Sequence, residues 1–220
     1  MEKIMFKNIL NAILPLMVLF FGTPALADAD YGSNECPVGL VSGMTLNDEF
    51  GPGSQDLTRC LDKRNNVKLV IQINKFCSSD AAVPGTPDCR AYGLGNIVNM
   101  IKDYEITHGM VRGKDYEIVV VVYSGGGMMV VKDAGIDGNG DPVTGRNQFQ
   151  GAVETLISQG VKFYFGQNTT RGMIRANILP DLTDSTGGAT AELIDGVEYV
   201  TAGVTAIGDF ASRGYSYVQP

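Results

Sequence analysis

The run Glu117-Ile118-Val119-Val120-Val121-Val122-Tyr123 constrains this chain more than any other stretch. Its five middle residues are consecutive, apolar and β-branched, and successive side chains of a strand point to opposite faces. Both faces therefore need cover, which predicts a central strand of a sheet packed on two sides. Val67–Ile73 is a second buried-type strand, and Val161–Phe165, Val197–Val200 and Tyr215–Val218 are shorter ones. Between them apolar residues recur at helical spacing. Leu94, Ile97, Val98, Ile101 and Tyr104 mark one helix; Phe149, Val153, Leu156 and Ile157 mark another, stopped at Gly160. Thr169–Leu179, ended by Pro180, and Val204–Arg213 complete the set, with a turn-rich Asp137–Gly145 and a polar connection Asp181–Asp195. Strands alternating with helices imply right-handed crossovers. The expected class is α/β, a three-layer sandwich with a mainly parallel five-stranded sheet, flavodoxin-like in style. Such sheets bind ligands outside the carboxyl ends of their strands. The loops at that rim are Asn74–Cys77, Ser124–Gly127, Gly166–Thr170 and Ala202–Gly203.

Residues 1–27 have a different character. Lys3 and Lys7 precede an apolar run, Ile9–Phe21, and Ala25-Leu26-Ala27 has the small-x-small pattern of a cleavage site. This reads as an export signal, too short in its apolar part to span a bilayer, which takes about 20 residues. Cleavage after Ala27 gives a periplasmic or secreted protein with no membrane contact afterwards. Residues 28–66 read as a cysteine-containing N-terminal extension, and 67–220 as the α/β domain. After removal of the signal, 15 basic and 23 acidic side chains give a formal charge of −8. Scattered basic residues on an acidic chain exclude a nucleic-acid partner, which needs clustered Lys and Arg to displace counterions.

Cys36, Cys60, Cys77 and Cys89 all lie in the exported part, where an even count favours disulfides. Three connectivities are possible. Sequence-local pairing, Cys36 with Cys60 and Cys77 with Cys89, would close two Gly/Pro/Ser-rich loops. With no Cys-x-x-Cys and only His108 as histidine, no metal site is expected.

The rim offers polar candidates. Ser124, Gly125 and Gly126, with Gly127, could let backbone amides approach an anion, or could form a tight strand-to-helix connection. The run has neither the spacing of a dinucleotide fingerprint nor a P-loop lysine, so no cofactor is expected. Gln167, Asn168, Thr169 and Arg171 could hold a small anion or polar ligand, or could cap the next helix. Asp137-x-Asn139-x-Asp141 begins like a calcium loop, but Pro142 stands where glycine is required and Gln148 where a bidentate carboxylate is required. An Asx/Gly turn is the expectation there. His108 has no partner nucleophile in sequence, and no catalytic residue is assigned.

The order of these pieces resembles the DsrE/DsrF-like family over Val67–Pro220. It is carried by Val67–Asn74, Gly95-Asn96-Ile97-Val98-Asn99, Ile118–Val122, Gly160-Val161-Lys162-Phe163 and Val200–Gly203 with Gly214-Tyr215-Ser216-Tyr217-Val218. The most telling piece is Phe163-Tyr164-Phe165-Gly166-Gln167-Asn168-Thr169. The resemblance implies a three-layered fold and assembly into a homo-oligomer. It also implies a cysteine just after the third strand that carries sulfane sulfur as a persulfide. Here that position is Gly166, and Tyr123-Ser124-Gly125 stands where relatives have a His before the Gly. Glycine supplies no thiolate. The expected role is a non-catalytic binding or self-assembling component, with a protein partner possible and residues 28–66 free to reach over a neighbouring subunit. The alternatives are a sulfur-relay protein that uses Cys77, and a small-anion binder.

Overall fold

The structure, a computed structural model, describes residues 66–79, 81–107, 109–181 and 188–219. Residues 1–27, read above as an export signal, residues 28–65 of the extension, Cys36, Cys60 and His108 lie outside the described residues.

Five parallel strands form the sheet: β1 (Val67–Lys75), β2 (Tyr116–Gly125), β5 (Lys162–Gly166), β6 (Val197–Val200) and β7 (Ser216–Val218). A two-stranded antiparallel hairpin, β3 (Gly135–Ile136) and β4 (Pro142–Val143), stands apart from it. The helices are α1 (Tyr92–Lys102), α2 (Gln150–Ser158), α3 (Gln167–Arg175), the single turn α4 (Gly188–Ala191) and α5 (Gly203–Ser212). A π-helical turn, Asp103–Thr107, extends α1, and a 3₁₀ turn, Gly127–Val130, follows β2.

The sheet order is β6-β5-β2-β1-β7, so the valine-rich β2 is central and Val119–Val122 are completely buried. In chain order the five strands read 4-3-2-1-5, which differs from the 2-1-3-4-5 order of flavodoxin itself. The order explains the layers. The steps β1 to β2, β2 to β5 and β5 to β6 all move one way across the sheet, and right-handed crossovers then put their helices on one face. The return to β7 moves the other way and puts α5 alone on the opposite face. The core divides accordingly. Leu69, Ile71, Val120, Val122, Phe163 and Phe165 pack with Ile97 of α1, Leu156 of α2 and Met173 of α3. Val70, Val119 and Val121 pack with Ala206, and Tyr164, Phe210 and Tyr215 flank them.

Three helices stop in the same way. After α2, α3 and α5, a residue with positive φ (Gly160, Asn177 and Gly214) follows the C-cap. Each donates its amide to the carbonyl three residues back, and the next residue donates to the carbonyl five back: Val161 to Leu156, Ile178 to Met173, Tyr215 to Phe210. This is the Schellman arrangement, which satisfies the last carbonyls and needs a residue tolerant of left-handed backbone. It also corrects the third helix, which begins at Gln167 and ends at Arg175 rather than running over Thr169–Leu179. Asn177 supplies the stop before Pro180 is reached. The polar connection before β6 contains α4 and buries Leu193 and Ile194.

Candidate functional site

The carboxyl rim is assembled from the ends of β1, β2 and β5. β2 leaves the sheet through Ser124, which has φ +53, a left-handed conformation that serine rarely adopts. The Ser124 amide donates to Thr169 Oγ1 at 2.8 Å and so ties the end of β2 to the first turn of α3. The next amide whose bond is defined, that of Gly126, donates to Tyr123 O at 3.1 Å. The glycines serve packing. A Cβ on Gly126 would lie 2.6 Å from Ile73 O, one on Gly125 3.1 Å from Asn74 O, and one on Gly127 2.9 Å from Met173 Sδ and Thr169 Cγ2. Ser124–Gly127 is thus the tight strand exit, passing over the end of β1 and beneath α3, with two of its amides already engaged.

α3 follows β5 without a loop. Gly166 is its N-cap, and no side chain caps it. Asn168 and Thr169 therefore do not act as N-caps; Thr169 takes the amide of β2 instead. Thr170 is buried, with its hydroxyl directed to Gly166 O at 3.5 Å, and the exposed Arg171 reaches Asn168 Oδ1 with Nη1 at 3.5 Å.

Between the β2 exit and α3 lies a cavity of about 420 Å³, lined by Tyr123, Ser124, Asn168, Thr169, Gly172, Met173 and Ile178. Of the residues expected from sequence, Ser124, Asn168 and Thr169 converge here, whereas Gly125, Gly126, Gln167 and Arg171 are not in its lining. Tyr123, Gly172, Met173 and Ile178 are additions. For Met173 and Ile178 the signal is Asn177-Ile178: an Asn able to stop a helix, then an apolar residue, which in a Schellman stop folds back toward the residue five positions earlier, here Met173.

Where relatives of the resembled family would hold their thiol, the rim is closed. Gly166 is buried, and a Cβ there would meet Gly203 N at 3.1 Å and Tyr123 Cβ at 3.4 Å. Gly203 in turn has the Tyr123 ring within 2.5 Å of its own missing Cβ. β5 sends its helix to one face and β6 to the other, which makes their shared exit the topological switch point where α/β sheets usually bind ligands. Here the packing of Gly166, Gly203 and Tyr123 fills it. Burial raises the Tyr123 phenol above its ordinary pKa, with the neighbouring Tyr217 adding to the effect.

Cys77 and Cys89 form a disulfide, S–S 1.97 Å, so Cys77 presents no thiol in this form. The loop between them is held further by Ser78 N–H to Arg90 O at 2.8 Å and by Gln148, whose Nε2 donates to Cys89 O at 2.8 Å while its Oε1 accepts from Gly85 N at 2.6 Å. A smaller depression, about 220 Å³, opens beside this loop and includes Gln72, Asn74, Ser78, Tyr92 and Gln219.

The Asp137 segment is the turn of the β3–β4 hairpin. Asp137 Oδ1 accepts the amides of Asn139 at 2.8 Å and Asp141 at 3.0 Å, and these bonds hold its carboxyl below the usual pKa. Among the described residues no three acidic, His or Cys side chains are grouped to hold a metal ion. Sequence reasoning missed the polar network behind this hairpin. Arg146 pairs with Glu192 and donates to Lys132 O and Ile136 O, and the buried Asn147 donates to Met129 O and Val131 O.

No family model matches the chain, and no curated protein does. Among solved structures the chain is similar to a protein of unknown function from Methanobacterium thermoautotrophicum, at 22% identity over 70% of this chain and 100% of that one, with a TM-score of 0.46.

Proposed function

We propose that this chain is an exported, disulfide-stabilised, DsrE-like domain that works as a non-catalytic binding component, not as a sulfurtransferase, and that it assembles with copies of itself. The observation that carries this reading is the absence of a thiol from the described rim. Position 166 is a glycine buried against Gly203 and Tyr123, and Cys77 is bonded to Cys89. A persulfide forms on a thiolate, and neither position offers one. What the rim offers is the cavity beside Ser124 and Asn168, with neutral polar groups and apolar side chains together. That composition is typical of binding sites.

The test is alkylation of the native protein without reductant, read by peptide mapping. The expected result is no label on Cys77 or Cys89. Rapid labelling of Cys77 at neutral pH would restore the relay chemistry and overturn the binding-only reading.

A further inference from the structure

We infer that the cavity between the β2 exit and α3 takes an uncharged small ligand with an apolar body and one carboxamide-like end. The inference deepens, and rests on, the reading of this rim as a binding surface.

Three features of the lining support it. First, no ionisable side chain other than the phenol of Tyr123 lines the cavity. Tyr123 is held in its neutral form, since burial and Tyr217 push its pKa further up. Second, the hydrogen-bonding groups that remain uncommitted are neutral. Among the described residues the Ser124 hydroxyl and the Asn168 Nδ2 have no protein partner, while the Ser124 amide, which could have faced an anion, is spent on Thr169 Oγ1 at 2.8 Å. The Asn168 Nδ2 donates and the Ser124 hydroxyl can accept, so the pair can serve both the carbonyl and the N–H of a carboxamide, whereas a carboxylate only accepts. Third, the floor is apolar. Met173 is buried, and Ile178 remains 37% exposed although it is held in place by the helix stop.

An anion is the rival occupant, since the first turn of α3 carries positive potential and the exposed Arg171 reaches Asn168 Oδ1 at 3.5 Å. Against it, Arg171 is not in the lining and is already directed to Asn168 Oδ1, so an ionised group set on Met173 and Ile178 would lose part of its hydration with no cation in the lining to replace it. The site is a depression open to solvent, and its volume of about 420 Å³ admits a small molecule.

Three probes with the same hydrocarbon chain separate the possibilities: hexanamide, hexanoate and hexylammonium, titrated into the purified isotope-labelled protein and followed by amide NMR shifts. Hexanamide is expected to shift Ser124, Asn168, Thr169 and Ile178, and to bind about tenfold more tightly than either ion. Gly172→Leu is expected to abolish those shifts, because a side chain at 172 meets nothing within 4 Å and would extend into the cavity. Gly172→Ala, a smaller intrusion, should weaken binding while keeping the fold, as a control for the larger variant. Asn168→Leu should erase the preference for the amide. Equal or tighter binding of hexanoate would overturn the ligand class and leave the rim as a binding surface. No shift at these residues with any probe would overturn both the ligand class and this rim as the site. Neither result bears on the thiol-free reading, which alkylation tests separately.

Discussion

A glycine can be required by its surroundings or merely tolerated, and this chain contains both kinds. The sequence shows 28 glycines but not which are which, because the difference lies in what a Cβ would touch. Gly126 is required: a methyl there would sit 2.6 Å from the Ile73 carbonyl, backbone that cannot swing aside. Gly126→Ala should therefore cost about 1–3 kcal/mol, the range for overpacking a core. Gly208, exposed within α5, has nothing within 4 Å of its missing Cβ. Gly208→Ala should stabilise by about 0.5–1 kcal/mol, by narrowing the unfolded ensemble and favouring the helix. Chemical denaturation of the two variants beside the parent checks both signs at once; equal stability of all three would contradict this division. Ser124 belongs with the required group for a different reason. Its φ of +53 is accompanied by the bond that fixes its amide to Thr169, and of the polar candidates of the rim Ser124, Asn168 and Thr169 meet there.

At the scale of elements, most of the sheet was legible in the sequence. The β-branched runs at Val67–Ile73 and Glu117–Tyr123 became β1 and β2, longer by one or two residues at an end, because continuous apolarity has one physical outlet in a two-sided sheet. Val197–Val200 matches β6 in both bounds. The helix stop at Gly160 was equally legible. The stop at Asn177 was not, because Asn is a rarer left-handed residue than Gly and Pro180 was the stronger local signal. The cavity was only half legible for the same reason, since Ile178 reaches it through that stop. The turn of the hairpin β3–β4 was legible as an Asx/Gly turn at Asp137, but its anchorage was not. Arg146 and Glu192, which hold the hairpin from behind, are 46 residues apart, and no local pattern reveals such a pair. Both side chains are 10% exposed, so removing one partner strands a buried charge. Glu192→Ala should cost about 3–5 kcal/mol. The double variant Glu192→Ala with Arg146→Met should recover part of that loss, and thermal melts of the pair distinguish a stranded charge from a simple loss of packing.

For the whole molecule, the clearest stability dependence lies at high pH. The phenols of Tyr116 and Tyr215 are both raised to about 12 from 10.0. Burial is the main cause in each, followed by hydrogen bonds to Glu105 and Glu117. Between those values the folded state keeps protons that the unfolded chain has released, so stability is full below pH 10.0 and declines as pH climbs toward 12. Tyrosinate absorbance should lag behind that of the denatured protein in this window, and Tyr215→Phe should make the loss of stability shallower. Coincident titration of native and denatured protein would contradict the assignment. At the other end Glu117, buried in part but hydrogen-bonded by Lys162 and Tyr215, is held below the usual carboxyl pKa. It contributes stability above its unfolded value that is lost as the pH falls through its folded one.

The same alternation of closed and open places decides what the molecule can do. The crevice between the exits of β5 and β6 is filled by glycine packing, the sulfur at the end of β1 is tied in a disulfide, and among the described residues one of the openings left at the rim lies beside Ser124 and α3. Mass spectrometry of the protein isolated from its own compartment, digested without reductant, probes this most directly. A Cys77–Cys89 linked peptide with no additional sulfur atom is the predicted species; a persulfide or longer sulfane chain on any cysteine would contradict the thiol-free role.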